Sequence, residues 1–162
     1  MPKPNTRVTG QTRESLTRIL DLVLKEEVFL LTTMREYRVS VTGPNLYSLR
    51  RLFDEQRHQL DYWLERVIER TKLIGGAKKA SKVRQKKAEP ELKLEANVPA
   101  RSMIGDLLTR HERMARRLRE DIERLPDAAT ADLLLRLVEF HETTAWMLRV
   151  VHSGSDADPL LA

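Results

Sequence analysis

At 162 residues, 41% hydrophobic and 33% charged, the chain suits one domain that buries about 70% of its unfolded surface. Zero cysteines exclude disulfides and thiolate chemistry. No apolar run approaches the roughly 18 residues of a membrane span, and Met1 to Gly10 lacks the apolar core of a signal peptide, so a cytoplasmic protein is expected. Six glycines and 5% aromatics speak against many short strands and tight turns, leaving an all-α fold as the expectation.

The first helix is predicted from Leu16 to Tyr37, where Leu16, Ile19, Leu20, Val23, Leu24, Phe29, Leu30, Met34 and Tyr37 recur at helical spacing. The turn signal Thr42-Gly43-Pro44-Asn45 ends it. A second helix follows, with Leu46, Leu49, Phe53, Leu60, Trp63, Leu64, Val67, Ile68 and Ile74 in period as far as Gly75-Gly76. Residues 77–98 are polar and lysine-rich, too long for a tight connection, and read as a crossover with a short helix near Glu91 to Glu95. The third helix runs from about Pro99 to Leu125, where Pro126 stops it. Asp127 is the expected N-cap of the fourth, which carries Ala131, Leu134, Leu135, Val138, Trp146, Met147 and Val150 and frays into residues 153–162. Two antiparallel pairs joined by one crossover make a ferritin-like four-helix bundle in a single domain, residues 1–162.

The net charge of +5 is unevenly placed. Lys72, Lys78, Lys79, Lys82, Arg84, Lys86 and Lys87 form a run with no acidic residue between them, either a solvated linker or a contact for polyanions such as duplex DNA. Lys3, Arg7 and Arg13 add a basic N-terminal tail over residues 1–13.

On the second helix Arg50, Asp54, Asp61, Glu65 and Glu69 share roughly a third of the circumference, well away from the apolar face. The stripe therefore points out of the subunit. A metal site inside one bundle would need inward ligands, and the inward positions here are Leu, Phe, Trp and Ile. Glu55-x-x-His58 has the spacing of a di-iron ligand pair but occurs once where two copies are needed. His111, His141 and His152 read as exposed histidines beside carboxylates or a chain end. No HExxH, glycine-rich phosphate loop or Ser/His/Asp spacing accompanies them.

Tyr37, Val41, Thr42, Gly43, Pro44, Asn45, Leu49, Phe53, Asp54, Glu55 and Gln56 together resemble the first-turn motif of the Dps family, the mini-ferritins. The likeness extends to Leu60, Asp61 and Glu69-Arg70, to "TADLL" at Thr130 to Leu134, and to "HETTAWMLR" at His141 to Arg149. It covers the four helices but not the basic crossover or the tails. The resemblance implies a homo-oligomer, a hollow cytoplasmic dodecamer built from two-fold dimers. Such cages store ferric mineral, limit peroxide damage and in many members bind DNA, which would make this one nucleoid-associated.

In that family an inter-subunit ferroxidase centre takes two histidines and an aspartate from one chain, and an aspartate and a glutamate from the other. Position by position, the carboxylates fall on Asp54, Glu65 and Glu69, but the two histidines fall on Arg38 and Arg50. Guanidinium offers no lone pair to a metal and remains charged, so the site is expected to be a salt-bridged relic without a bound metal. Asp127 and Asp132 match the acidic pore positions, with Arg136 opposing them. Two alternatives stand beside this reading. One is an active mini-ferritin that handles iron through carboxylates alone or at a relocated site. The other is a dimeric bundle adaptor without a cage.

Overall fold

The computed structural model describes residues 10–76 and 98–154. The predicted short helix at Glu91 to Glu95, most of the lysine run and most of both tails lie outside these residues. Among the described residues the structure is four helices and no strand: α1 Gly10–Ser40, α2 Leu46–Leu73, α3 Ala100–Ile122 and α4 Ala128–Gly154. None of them is long and apolar enough to cross a membrane.

Helix ends follow local chemistry. Gly43 holds φ +104 in the α1–α2 turn, a conformation costly for any residue with a Cβ. Pro44 falls in that turn rather than in the first turn of α2. At the far end of α2, Gly75 holds φ +100 and donates to the Lys72 carbonyl at 3.0 Å, while Gly76 donates to the Thr71 carbonyl at 2.8 Å. These paired bonds satisfy two carbonyls that the helix leaves open. Regular α3 stops at Ile122, three residues before the expected Leu125. The chain reaches Leu125 by tighter bonds, Arg124 to the Asp121 carbonyl at 3.1 Å and Leu125 to the Ile122 carbonyl at 3.0 Å. A residue preceding proline is pushed out of the helical region, which accounts for the early end.

Asp127 caps α4 as its sequence position predicts. Its Oδ2 accepts from the Thr130 amide at 2.8 Å and the Thr130 hydroxyl at 2.5 Å. Arg70 of α2 donates to the same oxygen from Nη2 at 2.5 Å and to the Thr130 hydroxyl from Nε at 3.0 Å. Burial alone would raise the Asp127 carboxyl, but the Thr130 bonds and the Arg70 guanidinium outweigh it and hold the group below the usual range. Asp127→Ala removes the cap and strands Arg70, so it should destabilise the bundle by about 2 kcal/mol. Urea unfolding midpoints would measure this, and Asp127→Ser, which keeps a capping oxygen, should recover part of the loss.

The Arg70–Asp127 pair joins the end of α2 to the start of α4, and only five residues separate the end of α3 from Ala128. Hence α2 ends and α3 begins at opposite ends of the bundle, which is the long-crossover topology. The helices form two antiparallel hairpins, α1–α2 and α3–α4, packed around Leu20, Leu24, Phe53, Leu64, Leu107 and Val138.

The core face of α4 agrees with the expected one at Leu134 and Val138 but differs elsewhere. Leu133, Leu134, Leu137, Val138, Phe140 and Leu148 point inward, whereas Leu135, Trp146 and Val150 are 45%, 61% and 55% exposed. Apolar residues occupy more than one side of this helix, so periodicity could not choose a face. On α1, Phe29 likewise lies outside, at 57% exposure, with the Arg110 guanidinium 4.8 Å from its ring centroid.

Candidate functional site

Arg50, Asp54, Asp61, Glu65 and Glu69 lie on the outer side of α2, as their spacing predicts, and none is buried in the core. The turn at Gly43 folds the end of α1 back over the first turns of α2, which brings Arg38 to Asp54. Arg38 Nε donates to Asp54 Oδ2 at 2.5 Å, and Arg57 Nε stands 3.5 Å from Asp54 Oδ1. Arg50 Nε donates to the backbone carbonyl of Arg38 at 3.2 Å, so within the subunit it braces Arg38. Partial desolvation would raise the Asp54 carboxyl. The Arg38 hydrogen bond and charge, with Arg57 behind them, outweigh it and hold the group below the usual range.

Asp54 is thus clasped by two guanidiniums of its own chain. Glu65 lies eleven residues further along α2 and Glu69 fifteen, about 16 and 22 Å at the helical rise. One subunit cannot gather all three around an ion. Among the described residues no group of three histidine, cysteine or acidic side chains converges as a metal site.

The other motifs are paired off. Arg51 Nε donates to Glu55 Oε1 at 2.8 Å and Arg57 Nη2 donates to His58 Nε2 at 2.8 Å, so the Glu55-x-x-His58 spacing does not bring two ligands together. Asp127 is engaged by Thr130 and Arg70, and Asp132 by Arg136 at 3.2 Å. Lys72 lies in the last turn of α2. Lys78, Lys79, Lys82, Arg84, Lys86 and Lys87 lie outside the described residues.

Two histidines overturn the expectation of exposure. His111 and His141 are completely buried, and Glu27, from the middle of α1, is 1% exposed. The Nδ1 atoms of the two rings are 2.9 Å apart, and His141 Nε2 is 2.9 Å from Glu27 Oε1. Phe140 packs edge-on against His111 with centroids 5.9 Å apart. Burial first, then the neighbouring His141, holds His111 well below an ordinary imidazole. Glu27 Oε2, His111 Nε2 and Thr144 Oγ1 are buried without a partner. A signal for this cluster was present in the sequence. Glu27 lies three or four residues from Val23, Leu24, Leu30 and Leu31, His111 from Leu107, Met114 and Ala115, and His141 from Leu137, Val138 and Ala145, so all three occupy core positions of their helices.

Residues 18–153 match the family model of the ferritin-like domain. An uncharacterized low temperature-induced protein of Nostoc sp. is 30% identical over 164 residues, covering 98% of this chain and 92% of that one. Its homolog from Anabaena variabilis matches to the same extent. Among solved structures, DpsC from Streptomyces coelicolor superposes with a TM-score of 0.77 at 21% identity, covering 91% of this chain and 89% of that one. Mycobacterium smegmatis Dps gives 0.75 at 18% identity, covering 93% of each chain. Dps92 from Deinococcus radiodurans gives 0.74 at 19%, covering 86% and 87%.

Proposed function

The chain belongs to the ferritin-like domain family and has the fold of the Dps proteins; from that premise we propose that it is a Dps-like cage subunit whose two-fold iron-oxidising centre has become a salt bridge. One observation carries the reading: the Arg38 guanidinium holds Asp54 at 2.5 Å, where the Dps-like pattern would place an imidazole beside a metal-binding carboxylate. A ferrous ion approaching Asp54 meets a fixed positive charge and an occupied carboxylate, and no nitrogen lone pair. Iron is then not oxidised at this site, and the shared fold serves assembly and shielding.

Assembly draws support from what the surface leaves uncovered. Tyr47, Tyr62 and Leu73 on α2, and Leu135, Trp146 and Val150 on α4, are large exposed apolar side chains of the kind that subunit contacts cover. The outer face of α2 is basic near its start, at Arg50 and Arg57, and acidic further on, at Asp61, Glu65 and Glu69. Two copies related by a two-fold axis across α2 would set each basic end against the partner's acidic end. Arg50 then meets Glu65 or Glu69 of the second copy, and Glu69→Ala should shift the assembly toward smaller species in light scattering.

Ferrous oxidation by oxygen and by peroxide, measured beside the molar mass, tests the whole reading. A dodecamer that oxidises iron no faster than buffer is expected. Rapid oxidation would favour the active mini-ferritin, and a dimeric mass the adaptor. The run from Lys72 to Lys87, multiplied over a cage, is a multivalent polycation, and nonspecific duplex DNA binding that weakens steeply with salt is expected of it. Gel-shift titrations at two salt concentrations should show that replacing Lys78, Lys79, Lys86 and Lys87 by alanine lowers the affinity. Equal binding by both proteins would exclude the run.

A further inference from the structure

The chain of contacts from Glu27 through His141 to His111 crosses the seam between the two hairpins in the buried centre of the bundle. Other polar ties across that seam lie nearer the surface. Tyr37 donates its hydroxyl to Asp106 at 2.7 Å, Arg70 holds Asp127, and Arg117 pairs with Glu26. A metal ion does not suit the inner cluster as it stands. Only the two Nδ1 atoms face one point, and the carboxylate reaches the far side of the His141 ring, where it can orient the ring but not share an ion with both nitrogens.

Proton counting defines the cluster better. Three ionisable groups, one carboxylate and two imidazoles, are neutral together when they carry one proton beyond the two neutral rings. Without that proton the centre holds a net negative charge, and with a second one a net positive charge. Either is costly at such burial. The charged groups beside the cluster cannot compensate, because they face outward and are already paired. Glu26 is held by Arg117, Glu112 by Arg149 and Glu142 by Arg119. From α2 the same core receives Leu60, Leu64 and Val67.

We propose that Glu27, His141 and His111 form a one-proton latch between the α1–α2 and α3–α4 hairpins, and that uptake of a second proton opens it. His111 is the group that refuses the second proton while the bundle is closed, since burial and the adjoining imidazole disfavour its charge. In the unfolded chain it accepts a proton near the ordinary histidine value of about 6.5. Its folded value is depressed, so the stability that His111 contributes is fully present above about pH 6.5 and is lost as the pH falls toward the folded value.

Urea unfolding of the unmodified protein from pH 8 to 5 should show the unfolding constant rising about tenfold per pH unit below about pH 6.5. His111→Gln, which cannot be charged, should flatten that limb, whereas His58→Gln at the surface should leave it unchanged. If His111→Gln does not fold, amide exchange in the unmodified protein still decides. After correction for intrinsic rates, protection around Glu27 and around His111 should fall together, about tenfold per unit over the same range. A flat stability profile, an undiminished slope in His111→Gln, or protection lost at one helix alone would overturn the latch. So would zinc raising the unfolding midpoint of the unmodified protein but not of His111→Gln, which would make the cluster a metal site.

Discussion

If the proposed two-fold site is inert, replacing Arg38 and Arg50 together by histidine is expected to give one that binds ferrous iron and speeds its oxidation by peroxide. The change frees Asp54 from the 2.5 Å clasp, removes two positive charges from each site and supplies two imidazole ligands of the kind iron accepts. Loss of a single side chain that only orients a ligand typically costs a metal site about 10–100-fold in affinity, so restoring two imidazoles that bind the metal directly should exceed that. Fold stability should suffer little. The Arg38–Asp54 pair is half exposed on its arginine side, with 45% of that side chain accessible, and such pairs contribute about 0–1 kcal/mol. Glu65 is one methylene longer than an aspartate and can hold the metal off its best position, so Glu65→Asp added to the pair should complete the recovery. Iron titration followed by stopped-flow oxidation would measure each step. An inert triple variant that still assembles would mean that more than these ligands separates the site from a working one.

Glu27→Ala should be the most damaging polar substitution in the chain. It leaves two buried imidazoles without their carboxylate and opens a cavity at a position 1% exposed. Breaking a buried pair in this way costs about 3–5 kcal/mol, a large share of the roughly 5–15 kcal/mol available to a domain. Glu142→Ala, which breaks the surface pair with Arg119 at 2.6 Å, should cost about 0–1 kcal/mol. Urea midpoints at unchanged slope would record the contrast. Glu27→Gln, close in volume and still able to accept from His141, should lose less than Glu27→Ala. Equal losses for Glu27→Ala and Glu142→Ala would show that the buried contact contributes nothing special.

Where the chemistry is local, the sequence was legible. Gly43 in the first turn, the glycine pair after α2, Asp127 as the cap of α4 and the outward position of Asp54, Glu65 and Glu69 all follow from residues within a single helix or turn. The proline effect at Pro126 was legible in kind, but its reach was three residues longer than expected, because the residues before it settled into a tighter turn. The face of α4 was legible only at Leu134 and Val138. Its apolar residues surround the helix, and only packing against α3 and α2 selects Leu133, Leu137 and Phe140 over Leu135, Trp146 and Val150.

The same division runs through the functional residues. Sequence alone specified four amphipathic helices and an acidic and basic stripe on the outside of the second. It could do so because helical period and side-chain chemistry are properties of single segments. Tertiary structure decided which charges meet. Arg38 reaches Asp54 sixteen residues away because the Gly43 turn reverses the chain. Glu27, His111 and His141, spread over more than a hundred residues, meet only because three helices from two hairpins pack on one another. Each of the three stands at a core position of its own helix, but which partners it meets there is decided only when the bundle closes. Whether a carboxylate or an imidazole is solvated or sealed depends on the other elements that cover it, and no single helix carries that information.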